Sequence, residues 1–363
     1  MAKQTSQGRE GASSRPMTSR ERLFAAARCE PCDRVPVSPF GLGHLDPEGA
    51  ATAELIRRCD CFLEQWTDVN TIFGGANYRE ERHTEGAFTL IAIPTPRGAL
   101  RRVIKRTSVA THSVEFPCKG PADLEKLLSI PWEPQQPDLR PYRAMCERWG
   151  DEVIVLASCP DALCMPAEYL SPEDFCLLRA DAPDLMAAAV AEAQSRVEAY
   201  VEAVCRAGVQ GFRLLGGELA STQLGPRAFE ELVVPFDRRL VEIMHRHGAL
   251  VYYHNHGRIM GYLDAFARIG VDYLDPLEMP PCGDMDLERA RDIIAGRFCI
   301  VGTFDDMEML EKWPLERVQS AARDRLRRYG TRGICLGGSA SGTYAERAVQ
   351  AFLAMAEVVQ ETD

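Results

Sequence analysis

Two histidines sit two residues apart in the run Val251-Tyr-Tyr-His-Asn-His-Gly257. On an extended chain, His254 and His256 project to one face. Two imidazoles on one face, met by a carboxylate from a neighbouring segment, are the makings of a zinc site with three protein ligands and one open position. The other reading of the pair stays open: one ring packs in the core while the other hydrogen-bonds a carboxylate. Glu278 is the first choice for a third ligand because it ends the next apolar run. Glu218, Asp305, Cys335 and Ser339 follow. Arg213 lies inside an apolar run. Facing inward, it needs a buried anion, either an internal Asp or Glu or a substrate carboxylate.

Apart from Arg213 and Cys335, these residues share a position, the end of a short apolar run. The runs are Val153–Ala157, Gly211–Leu215, Leu250–His254, Val271–Leu274, Phe298–Val301 and Gly333–Leu336. They close on Ser158-Cys-Pro160, Gly216-Gly-Glu218, His254-Asn-His-Gly257, Asp275-Pro-Leu-Glu278, Gly302-Thr-Phe-Asp-Asp306 and Gly337-Gly-Ser339. Val35–Phe40 and a run near Val69–Phe73 bring the number of strands to eight. Helical stretches alternate with them at Pro183–Ala207, Pro226–His247, Arg258–Ile269, Leu287–Ala295 and Leu315–Tyr329. Such alternation implies parallel strands with right-handed crossovers, and eight units close a (β/α)8 TIM barrel of the α/β class. Barrel enzymes carry their sites at the C-terminal strand ends, where these polar residues gather. The rival, an open doubly wound sheet, lacks a glycine-rich dinucleotide loop after the first strand.

An N-terminal helix is expected from Thr18 to Arg28, opened by a Thr18/Glu21 capping box. Between the second and third strands, Phe88–Ile93, Arg101–Arg106 and Thr111–Phe116 alternate like antiparallel strands around a turn at Pro96–Gly98. This β-rich insertion, over about residues 76–150, would shape a substrate pocket, form a homodimer contact or serve as a lid. The polar stretch 1–16 reads as a disordered tail, and 17–363 as one barrel domain.

Composition narrows the partners. With 46% hydrophobic residues, the 363-residue chain can fill a large core. A net charge of -11 repels a phosphate backbone, which argues against nucleic acid. No apolar run is long enough for a membrane span, and the N-terminus lacks the apolar core of a secretory signal. Thirteen irregularly spaced cysteines then read as reduced thiols of a cytoplasmic protein. The pairs Cys29/Cys32 and Cys59/Cys61 have no second CxxC to complete a four-cysteine zinc site and read as incidental.

Four segments resemble the uroporphyrinogen decarboxylase superfamily, and its corrinoid-dependent (methylcobalamin) methyltransferase branch in particular. They are Ser19–Arg28 with Asp33-Arg-Val-Pro36, the His254-Asn-His-Gly257 run, Asp275–Pro281 with Gly283-Asp284, and Gly337-Gly-Ser339. The decarboxylases hold porphyrinogen carboxylates with an arginine-rich segment after the first strand. Here that region reads Pro39-Phe-Gly-Leu-Gly-His-Leu45. The methyltransferases bind zinc through an HxC pair and a later cysteine. His254 matches their histidine, His256 replaces the first cysteine, and Ser339 stands where the later cysteine would be. A serine binds zinc poorly, which leaves Glu278 as the favoured third ligand. The harder donor set suits an oxygen-bound substrate over a thiolate.

The resemblance implies a zinc-dependent methyltransferase that moves a methyl group between a small donor, such as a methoxylated aromatic, and a corrinoid (cobalamin) protein. His254, His256, Glu218 and Glu278 would be catalytic, while Asp305, Ser339 and Arg213 would face the corrinoid. Two rivals remain: a metal-free decarboxylase or lyase of a polycarboxylate, and a non-catalytic tetrapyrrole-binding subunit.

Overall fold

A computed structural model describes residues 15–67, 72–107, 111–339 and 342–361. The N-terminal tail read over 1–16 lies outside these residues except for its last two. Seven parallel strands form one curled sheet in chain order: β1 (Cys61–Gln65), β6 (Val153–Pro160), β7 (Gly211–Leu215), β8 (Leu250–His254), β9 (Tyr273–Leu277), β10 (Cys299–Thr303) and β11 (Ile334–Gly337). The eighth position is held by the segment around Val37 and Phe40. It bridges Leu336 on one side and Phe62 on the other, and so closes the ring. Ser38 N–H donates to Leu336 O at 2.7 Å, and Phe62 N–H donates to Pro39 O at 3.1 Å. Pro36 and Pro39 have no N–H to give, so this strand is reduced to two bridges. The barrel is therefore complete, as expected of the (β/α)8 class.

The second strand is a correction. It is Cys61–Gln65, not the run near Val69–Phe73. Residues 68–71 lie outside the described residues, and Ile72 and Phe73 form a turn. The expected single helix Pro226–His247 is also two helices, Pro226–Leu232 and Val234–Arg246. Pro235 breaks it, since its ring removes a donor and crowds the preceding turn.

The barrel floor is closed by the helix Ser19–Ala27, capped as read from Thr18 and Glu21. Its Leu23 packs with Phe62, Tyr252, Tyr273, Cys299 and Cys335 in the barrel interior, and the Tyr273 hydroxyl donates to Leu23 O at 2.5 Å. Arg22 is buried against Asp60 and Asp33 and ties this helix to the start of β1. With one end sealed, the C-terminal strand ends are left to form the mouth.

The insertion is a four-stranded antiparallel sheet in the order β2 (Glu81–Glu85), β3 (Phe88–Ile93), β4 (Leu100–Arg106) and β5 (Thr111–Glu115). The turn at Pro96–Gly98 is present, with Gly98 N–H donating to Thr95 O at 3.1 Å. Strand β2 was not legible, because Glu-Arg-His-Thr-Glu is exposed at every residue and shows no alternation. All thirteen cysteines carry free thiols. Among the described residues, no helix is long and apolar enough to cross a membrane.

Candidate metal centre at the barrel mouth

His254 is the last residue of β8, and the parallel register sets it opposite Asp275 of β9. The pairing brings His254 Nδ1 to 3.0 Å from Asp275 Oδ1, with both groups buried. His256 follows where the chain leaves the sheet. Its Nδ1 lies 3.3 Å from Glu278 Oε1, just past the end of β9. The other Glu278 oxygen accepts Gly257 N–H at 2.8 Å. Gly283 allows the chain to fold back over Glu278, since a Cβ there would meet Glu278 O at 2.3 Å. The two imidazoles stand edge to face, 4.6 Å between centroids. Each ring therefore has its Nδ1 engaged by a carboxylate, which leaves Nε2 as the nitrogen for a metal. This carboxylate–histidine arrangement orients metal-ligating imidazoles and raises their basicity.

The third donor arrives from β7. Gly216 adopts φ +136° and turns the chain sharply after Leu215. Glu218 follows two residues later and accepts His256 N–H at 3.3 Å. Donor atoms of Glu218, His254 and His256 lie within 4.8 Å of one another. Among the described residues, this is the set of three or more His, Cys, Asp or Glu donors close enough to share an ion. Glu278, the first choice from sequence, is placed behind His256 instead.

The nitrogen and carboxylate donors suit zinc. Burial alone would lower the pKa of His256, but the hydrogen bond and charge of Glu278, with the charges of Glu218 and Asp275, turn the net shift upward. Burial would raise Glu278, and the His256 contact and Gly257 N–H outweigh it and hold the carboxyl below its usual range.

The remaining expected residues divide. Arg213 faces inward and donates to Glu64 Oε2 at 2.9 Å, while Ser158 donates to Glu64 Oε1 at 2.6 Å. The guanidinium also stacks on Phe40, 4.3 Å from the ring centre. Its anion is thus an internal glutamate. Asp305 caps the following turn by accepting Glu308 N–H at 2.5 Å. Ser339 accepts Asp306 N–H at 3.2 Å and donates its own N–H to Asp306 Oδ1 at 2.9 Å. Neither joins the donor cluster. Cys335 lies in the barrel interior, with its sulfur 3.7 Å from that of Cys299. Sequence reasoning missed Glu64, since its strand was misplaced. It named Asp275 only as a strand end, although the HxH register to the next strand could have paired it with His254.

The His-His-Glu cluster thus lies at the C-terminal mouth of a parallel barrel, the end at which barrel enzymes carry their sites. A family profile described as Uroporphyrinogen decarboxylase (URO-D) matches residues 121–362, and the chain belongs to that family. A solved methyltransferase from Methanosarcina mazei shares the fold at a TM-score of 0.64 and 17% identity, over 94% of this chain and 98% of that one. A B12-independent methionine synthase from Shewanella sp. W3-18-1, solved with selenomethionine, matches at a TM-score of 0.58 and 12% identity, over 90% of this chain and 98% of that one. No curated protein matches the sequence.

Proposed function

We propose that the protein is a zinc-dependent methyltransferase, moving a methyl group between a small methylated compound and a corrinoid carried by a partner protein. The observation that carries this reading is the cluster of Glu218, His254 and His256, with Asp275 and Glu278 fixing the two rings. Bound there, zinc would supply a Lewis acid that draws electron density from the atom losing the methyl group. Asp275 holds the His254 ring by its Nδ1, which leaves Nε2 for the metal. Glu278 does the same for His256. Glu218 adds a hard anionic donor, which favours an oxygen-linked donor such as a methoxylated aromatic over a thiol. The likeness to a protein named as a methyltransferase supports the reading.

The polycarboxylate decarboxylase reading would need uncompensated cations in the mouth. Arg213 is already neutralised by Glu64, which counts against it. The test is methyl transfer to cob(I)alamin, followed by its absorbance change, with anisole and methanol as donors. The zinc-loaded protein should methylate the corrinoid, and His256→Ala should not. Equal rates in the stripped and loaded protein would remove the metal from the reaction. Carbon dioxide release from a polycarboxylate by metal-free protein would favour the decarboxylase.

A further inference from the structure

Beside the metal centre lies a cavity of about 130 Å³, formed where β9, β10 and β11 end. Its walls are mostly apolar, and Leu277, Met279, Pro280, Phe304 and Met309 supply them. Glu278 lines it as well, and this residue also holds His256. The cavity and the donor cluster are therefore neighbours through one side chain.

Three observations define what fits. The first is size: an apolar cavity of about 150 Å³ is known to take up benzene, so this one is scaled to a single six-membered ring. The second is surface. Methionine thioethers make favourable contacts with aromatic edges and adapt to small changes in ring position. The Phe304 wall is fixed from behind, because Arg325 stacks on its ring at 4.2 Å and donates to Thr303 Oγ1 at 2.5 Å. The third is charge. The Glu278 carboxylate is taken up by His256 and Gly257 N–H, Asp305 accepts Glu308 N–H, and Glu308 pairs with Lys312. Among the described residues that line the cavity there is no lysine, arginine or histidine, so an anionic ring would give up its water with no counter-charge to meet it.

We infer that this cavity is the specificity pocket of the site and seats one neutral aromatic ring, with an exocyclic oxygen directed to the Glu278 and His256 side. This deepens the methyl-transfer reading and rests on it for the group that departs. Occupancy of the pocket by the ring does not.

Fluorine NMR titration of the full-length protein with p-fluoroanisole and p-fluorobenzoate tests the inference, in zinc-loaded and chelator-stripped samples. The ether should bind saturably in both samples. The benzoate should bind roughly tenfold or more weakly, a difference of about 1.4 kcal/mol or more. Met279→Trp and Met309→Trp, each filling the cavity, should each weaken ether binding by about tenfold or more. Crystals soaked with p-bromoanisole give a readout that needs no variant. An anomalous bromine peak beside Leu277 and Phe304 supports the assignment, and a peak elsewhere overturns it. Absence of saturable ether binding, undiminished binding in both tryptophan variants, or tighter binding of the benzoate would each overturn it too. Ring binding without any methyl loss would keep the pocket and remove the methyl-transfer reading. Methyl transfer from methanol without ring binding would do the reverse.

Discussion

Glu278 stands behind His256: one oxygen lies 3.3 Å from the ring Nδ1 and the other accepts Gly257 N–H at 2.8 Å. In the proposed zinc site it is a positioning residue, and Glu218 would be the ligand. Glu278→Gln keeps an acceptor for Gly257 but loses the charge behind the imidazole. Its zinc affinity should fall by about 10- to 100-fold, the usual range for such outer partners. Competition against a chromophoric chelator measures this. Glu218→Gln should lose more, because it weakens a direct ligand. Equal affinity of Glu278→Gln and wild type would contradict the assignment.

The Glu64–Arg213 pair predicts a stability effect at the mouth. Its side chains are 15% and 11% exposed, so each charge is largely removed from water. Glu64→Ala leaves the guanidinium uncompensated and should cost about 3–5 kcal/mol in urea unfolding. The double variant Glu64→Leu with Arg213→Met should recover most of that loss, since an apolar pair of similar volume avoids the desolvation penalty. A double variant no more stable than Glu64→Ala would show that the pair does more than balance charge.

Asp161 and Asp237 predict a pH dependence. Both are buried outside the metal centre, close to Tyr253, Cys164 and Glu168. Burial pushes Asp161 up to about 7, and burial with the charge of Asp161 raises Asp237 further. The native state thus keeps a proton that the unfolded chain releases near pH ~4. Between those values the native state binds more protons, so stability falls as pH rises. The contribution is complete below the unfolded pKa and lost through the folded one. Asp161→Asn retains the acceptor for Cys164 N–H, 3.1 Å away in the wild type. Its urea midpoint should be flatter between about pH 4 and about pH 7, and higher than wild type above that window. An unchanged slope would contradict the pairing.

Gly216 links that buried acid to the metal centre. A Cβ at this position would lie 2.0 Å from Asp161 Oδ1, and its φ of +136° disfavours any side chain. Gly216→Ala should destabilise the fold by roughly 1–3 kcal/mol. It should also weaken zinc binding, because Glu218 follows two residues later. Destabilisation with unchanged zinc affinity would mean that Glu218 does not depend on this turn.

Much of the barrel was legible because its strands are short buried runs separated by amphipathic helices. What failed did so for local reasons. Cys61–Gln65 has one charged and one amide residue at its end, and Glu64 is received by Ser158 on the neighbouring strand β6 and by Arg213 on β7 beyond it. No pattern within five residues can announce that partner. The histidine pair was readable from spacing alone. Its third donor was not, because β7 and β9 both flank β8 and each ends in a glutamate. The decision lies in backbone geometry. Gly216 turns Glu218 toward the open side of the rings, while Gly257 N–H fixes Glu278 on the Nδ1 side.

In the proposed site, Glu218, His254 and His256 together hold a zinc ion. Metal analysis of the protein after zinc loading and desalting tests it most directly, beside His256→Ala and Glu218→Ala prepared in the same way. The account predicts near-stoichiometric zinc in the wild type and loss of most of it in both variants, with the fold retained by circular dichroism. Wild-type protein that retains no zinc, or variants that retain it fully, would contradict the account.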